Sequence, residues 1–419
     1  MNPKTPHQAF ALRSLVVLPG AMVESALAVV LPWLVARASL GTTWLGLLSA
    51  ILVAAALVGT LAAPLATKHW GSRRVVLGGT VVAAASLGIA AALWFFGFVA
   101  SAFIVALIAI AADGTADIAF SARAPVMARL AKTPLMQFTS ANWLWSICGA
   151  ALGSALAGIT MGDSSLDGSS IMWLAAGTAV LSLLVAAALV VLMPRDARIL
   201  HGIGGGPVAH SRRVLWNQRT VLLIMLIAGM SFLYGPVDNL LAPAQLAGND
   251  REASTFGFIM AAGAVGLVVG LVVTRTMHSE RYGRAQLSVG LTGIVTQFTI
   301  LWWLPSDLVL VAASFITAAA VAPLLPLLET SALVAVASTQ RTLLLGAAAT
   351  AASLADLAGT AVFGAMAQAM GTGEALGVAS VVAGLGLVVA LPMARKVIPP
   401  ERIRAQLTDP TGSGSRLTQ

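Results

Sequence analysis

Apolar runs long enough to cross a bilayer recur along the chain, separated by short polar turns. Such a run needs about 20 mostly apolar residues. Twelve are predicted, near residues 14–36, 43–66, 75–96, 98–121, 137–160, 170–193, 219–244, 254–275, 285–304, 307–332, 343–368 and 375–394. One interruption is sizeable, the polar stretch 194–218 with its HGIGGGP segment and several arginines. It reads as a linker between a half over 1–193 and a half over 219–395, each of six spans. The tail 396–419, ending in TDPTGSGSRLTQ, is expected to be disordered. The pattern predicts an all-α membrane protein of twelve transmembrane helices. The first span follows a short basic leader and is too long for a cleaved signal peptide.

Charge placement gives an orientation. Of 24 Lys and Arg, 22 fall before span one, in alternate loops or in the tail if the N-terminus lies inside, leaving Arg37 and Arg251 outside. This asymmetry is the positive-inside rule. It explains the net charge of +8 without a nucleic-acid partner. Arg123 and Arg129, between spans four and five, are expected to be interfacial anchors. Trp33, Trp44, Trp94, Trp173, Trp302 and Trp303 fall at outer ends, and Trp70 and Trp216 at inner ones. Trp143 and Trp145 lie further into span five, as anchors or as part of a cavity wall. Lys68 to Arg74 after span two and Arg281 to Arg284 after span eight both join an aromatic–Gly pair to arginines. They predict a repeated tight turn.

Composition narrows the function. At 58% hydrophobic and 10% charged, the chain lies far from the roughly 25% charged residues of soluble domains. One cysteine, Cys148, and five histidines, all outside the spans, leave no metal site and no disulfide framework. No phosphate-binding GxxxxGK[ST] loop and no GxSxG nucleophile motif occurs, so neither ATP hydrolysis nor an enzyme is expected, and no cofactor.

The candidate chemistry is carboxylic. Six acids interrupt the spans: Glu24, Asp113, Asp117, Asp238, Glu329 and Asp356. Spans three, six, nine and twelve have none in their interiors, and no span interior holds Lys or Arg. An acid in mid-membrane is costly and is retained only facing protein or a water-filled cavity. A carboxyl deprived of water and of an opposing charge holds its proton more readily. It can then take up a proton at one side and release it at the other. Glu24, Asp356 and the pair Asp113 and Asp117, one helical turn apart and expected to titrate together, are the candidate proton carriers. Glu24, Asp238, Asn239, Trp143 and Glu329 are the candidate substrate contacts. Asp238, bracketed by Pro236 and Pro243, is expected at a helix break whose freed backbone groups bind substrate. Glu329 lies toward the inner end of span ten, where a gate or a solvated-end role is equally open.

Several motifs resemble the major facilitator superfamily. After span two, Gly71, Arg73 and Arg74 fit the family's Gly-x-x-x-Asp-x-x-Gly-Arg-Lys/Arg loop signature, with Pro64 for its first Gly and Lys68 for its Asp. In span five, Gly149, Gly153 and Gly158 fit the antiporter signature Gly-x-x-x-Gly-Pro-x-x-Gly-Gly, with Ser154 for the Pro and Ala157 for one Gly. The same residues read equally as a small-residue packing face. Glu24 followed by Pro32-Trp33, with Leu233-Tyr234-Gly235-Pro236-Val237-Asp238 in span seven, is similar to the macrolide-efflux and Tap-like drug:proton antiporters. The resemblance implies two pseudo-symmetric six-helix halves around a central cavity, and outward export of an apolar or amphiphilic small molecule in exchange for protons. The cargo is expected to be cationic, and the protein a monomer in the bacterial cytoplasmic membrane with both termini inside. A lipid flippase, a siderophore or metabolite exporter, and a receptor-like membrane protein are the alternatives.

Overall fold

The computed structural model describes residues 42–130, 135–162, 169–192, 218–276, 279–335 and 341–397, and residues 11, 17, 18, 21, 22, 25 and 29. Glu24, Arg37, the Pro32-Trp33 pair and most of the 194–218 and 396–419 segments lie outside these. Fourteen α-helices are described: α1 Thr42–Trp70, α2 Ser72–Phe95, α3 Val99–Ser121, α4 Ala124–Leu130, α5 Leu135–Gly162, α6 Ser169–Leu192, α7 Gln218–Pro236, α8 Ala242–Gly248, α9 Ala253–Thr276, α10 Ser279–Trp303, α11 Asp307–Val321, α12 Leu324–Ala335, α13 Arg341–Met370 and α14 Thr372–Val397. Among the described residues, nine helical stretches are long and apolar enough to cross a membrane.

The helices outrun the apolar runs that predict them. The second run ends near residue 66, but α1 continues through Lys68 and His69 to Trp70. The ninth begins near residue 285, but α10 starts at Ser279. Apolarity stops at the headgroup region, whereas the helix carries on while long basic side chains reach toward water. Trp70 and Trp303, each the last residue of its helix, are exposed as interfacial rings should be.

Gly71 makes the α1–α2 turn with φ 79°, a left-handed backbone that side chains disfavour. The expected counterpart is not a turn. Arg281 to Arg284 sit inside the first turns of α10, so Gly283 is helical and the repeat is one of sequence only.

Pairings between helices repeat on a shift of six spans. The α1–α3 pair is answered by α9–α11, the α2–α6 pair by α10–α14, and the α2–α3 pair by α10–α11. Two extensive contacts, α5–α9 and α1–α13, exchange with each other under the same shift, and these join the halves. The acid-free third, sixth, ninth and twelfth spans thus pair at the flanks. One end of the bundle gathers Lys68, Arg73, Arg123 and Arg341, and is called the basic end below. Contacts tie it together: Arg123 Nη1 donates to Ser72 Oγ at 3.1 Å, and Gly346 at the start of α13 packs on Pro64 near the end of α1. Arg123 is only 4% exposed, so it is a strut between two loops and not the interfacial anchor expected of it. The side chain of Arg129 lies outside the described residues. At the opposite end, Arg251 pairs with Asp307 at 2.6 Å and also donates to the Pro305 carbonyl.

Candidate functional site

Span seven is where local sequence makes the backbone irregular. Pro236 has no N–H, so the Phe232 carbonyl one turn back receives no helical bond from it. The chain then widens into a π-helical turn, Val237–Leu241, in which Ala242 N–H reaches back five residues to the Val237 carbonyl. The helix widens here and does not break. Single π turns of this kind are frequent at functional sites. Asp238 and Asn239 sit in that turn, both half-buried. From the neighbouring span, Gly359 of α13 packs directly on the Phe232 carbonyl and the Pro236 ring. A methyl group there would overlap both.

The same α7–α13 contact brings a second carboxyl to Asp238. Asp356 of α13 lies against Gly235, and a Cβ on that glycine would overlap the Asp356 carboxylate. Asp356 is near enough to repel the charge of Asp238. Its Oδ1 is buried with no hydrogen-bond partner among the described residues. One turn before Asp238, the Tyr234 hydroxyl donates to the Asp238 carboxylate and accepts from Gln297 of α10. The Tyr234 ring stacks near Phe298 with centroids 6.4 Å apart. An acid of span eleven therefore lies against a glycine of span seven, three residues before an acid that a tyrosine hydrogen-bonds.

A second constellation forms at the basic end. Trp143 Nε1 in α5 donates to Glu329 Oε2 in α12 at 2.7 Å. Ser121, the last residue of α3, also hydrogen-bonds Glu329. Thr139 and Thr330 share a hydrogen bond of 3.3 Å beside this pair. Glu329 is thus held within the protein and is not a solvated end. Trp143 is a half-buried wall residue, while Trp145 points outward and is 39% exposed.

The remaining candidates separate. Asp113 is half-buried and Asp117, one turn on along the same helix, is exposed. Gly149 and Gly153 are buried against the carbonyls of Leu18 and Met22, and Gly158 meets Gly257 of α9 backbone to backbone. The span-five glycines therefore act as a packing face toward spans one and eight. Arg73 donates to the Val190 carbonyl at the end of α6, tying the Gly71 turn to that helix, and Arg74 is exposed. Glu24 is outside the described residues.

Tyr234 and Gln297 carry no charge, and a ranking of spans by acids passes over them. Their signal is a glutamine in the interior of the ninth span and a tyrosine four residues before an aspartate. Ser121, Thr139 and Thr330 have no such signal, because isolated hydroxyls are common in apolar helices.

No protein-family model and no curated protein sequence matches the chain. Solved structures do. A human organic anion transporter, MFSD10 (TETRAN), is similar with a TM-score of 0.69 at 16% identity, over 93% of this chain and 99% of that one. A variant of the nucleoside transporter NupG gives 0.64 at 14% identity, over 92% of this chain and 99% of that one. A variant of the E. coli fucose:proton symporter FucP gives 0.63 at 15%, over 93% and 98%. The chain has the major facilitator fold. Within that fold, the α7–α13 acids lie in the second half, and the Trp143–Glu329 bond joins the second half to the first.

Proposed function

We propose that this protein is a proton-coupled secondary transporter, working by alternating access, that exports an amphiphilic organic cation. The observation that carries this reading is the Asp356 carboxyl packed on Gly235, three residues before Asp238, with a buried oxygen that has no partner among the described residues. A partnerless oxygen next to a second carboxyl is a seat for a proton or a cation. The two ligands exclude each other there, which is what exchange coupling requires. Glu24, near the middle of span one, is the carboxyl we assign to the opposite half. MFSD10 carries organic anions by its name; an acidic pair disfavours such a cargo here. The Glu24 and Leu233–Asp238 motifs support the macrolide-efflux and Tap-like reading. The basic end is assigned to the cytoplasm of a bacterial inner membrane, because Lys68, Arg73, Arg74 and Arg123 gather there while Arg251 is neutralised by Asp307.

The test is flux in reconstituted vesicles under an imposed pH gradient, with a panel of amphiphilic cations, anions and lysophospholipids. Cations alone are expected to collapse the gradient; movement of anions alone would sink the reading. Glu24→Gln is expected to abolish gradient-driven flux in a folded protein, and unchanged flux removes Glu24 from the mechanism. Gly235→Ala is expected to lower flux by roughly tenfold to a hundredfold, because the added methyl displaces the Asp356 carboxylate and misplaced groups lose that much. Thermal stability of the same variant should fall by only a few degrees, measured alongside.

A further inference from the structure

We infer that Trp143 and Glu329 are a latch that holds the basic end of the two halves shut, and are not substrate contacts. This rests on the transporter reading only for its consequence in the cycle. The latch itself is read from geometry.

Three hydrogen bonds cross the half interface within a few residues: Trp143 to Glu329 at 2.7 Å, Ser121 with Glu329, and Thr139 with Thr330 at 3.3 Å. Each joins α3 or α5 of the first half to α12 of the second. A dry plug lies next to them. Met127 of α4 and Phe138 of α5 are buried with Leu333 of α12, and Leu345 of α13 packs against the same cluster. Connector helix α4 thus contributes a side chain to a seal between halves.

The indole N–H only donates and the carboxylate only accepts, so the pair is complementary with no third partner needed. Opening the basic end must break this bond, strip Met127 and Phe138 from Leu333, and part Thr139 from Thr330. Apolar contact alone would give a seal of fixed strength. The Trp143–Glu329 bond adds a directional tie between the halves to that apolar contact.

The experiment uses thiol chemistry on a Cys148→Ala background, since Cys148 is the chain's one cysteine. A cysteine introduced by Thr330→Cys is expected to react slowly with a maleimide in purified, detergent-solubilised protein. Adding Trp143→Phe or Glu329→Gln is expected to raise that rate about tenfold, roughly the net value of one hydrogen bond. The paired Thr139→Cys and Thr330→Cys variant is expected to form a disulfide on mild oxidation and to lose transport until reduced. In vesicles, Trp143→Phe and Glu329→Gln should change the maximal rate and leave the half-saturating substrate concentration within about twofold. Labelling rates unmoved by both variants overturn the latch, and so does a rise in half-saturating concentration without a change in labelling, which makes the two residues substrate contacts. Labelling needs no substrate. A protein that labels as expected but moves no cation keeps the latch and loses the transporter reading.

Discussion

Asp238→Asn is expected to reduce proton-driven flux at least about a hundredfold, the usual weight of a positioned proton-transfer group. The amide keeps the size and polarity of the side chain but can neither bind nor release a proton. Tyr234 can still donate to it, so the π turn and the α7–α13 packing should survive. Asp356→Asn is expected to act in the same direction, because its carboxyl packs on Gly235, three residues before Asp238. The two substitutions together should cost little more than either alone, since groups acting as one unit are not additive. Vesicle flux under a pH gradient, read beside gradient-free counterflow of the cation, checks this. Proton-coupled flux should vanish while counterflow persists. Full retention of coupled flux in both single variants would falsify the carboxyl pair as the coupling site.

Gly153→Leu is expected to prevent assembly of a stable protein. At Gly153 a Cβ already overlaps the Met22 carbonyl, which belongs to a helix backbone and cannot rotate aside. Overpacking of this kind typically costs about 1–3 kcal/mol per site and more where backbone must move. Gly177→Leu is the control: nothing lies within 4 Å of a Cβ there, and the residue is exposed. Size-exclusion profiles of the two variants in detergent should differ, with a monodisperse peak kept only by the second. A monodisperse Gly153 variant with unchanged melting temperature would show that spans one and five do not need this contact.

The legible part of the site was its ionisable part. Asp238, Glu329 and Asp356 stand out in apolar runs because charge in a membrane has no cheap explanation. Their partners did not stand out. Tyr234 and Gln297 bear on Asp238 through hydrogen bonds that join spans seven and nine, a pairing no local pattern encodes. Trp143 reads from sequence as a wall residue or an anchor, and its bond to Glu329 comes only from the packing of α5 on α12. Arg123 was misjudged for the same reason. An arginine in a loop reads as solvated, but this one is enclosed between two turns and bonded to Ser72. Asp113 and Asp117 share a face by spacing, yet one is half-buried and the other exposed, since spacing fixes direction and not neighbours.

Residue order by itself determined which helices are long and apolar enough to cross a membrane and which of them bear acids. Those properties follow from how each segment meets lipid and water, a contest settled within about 20 residues. Tertiary structure alone decided that the acid of span eleven packs on a glycine of span seven, and that the acid of span ten goes to an indole in the other half. Such meetings depend on which helices approach closely enough to touch, and that is set by small residues and side-chain shape on both partners at once.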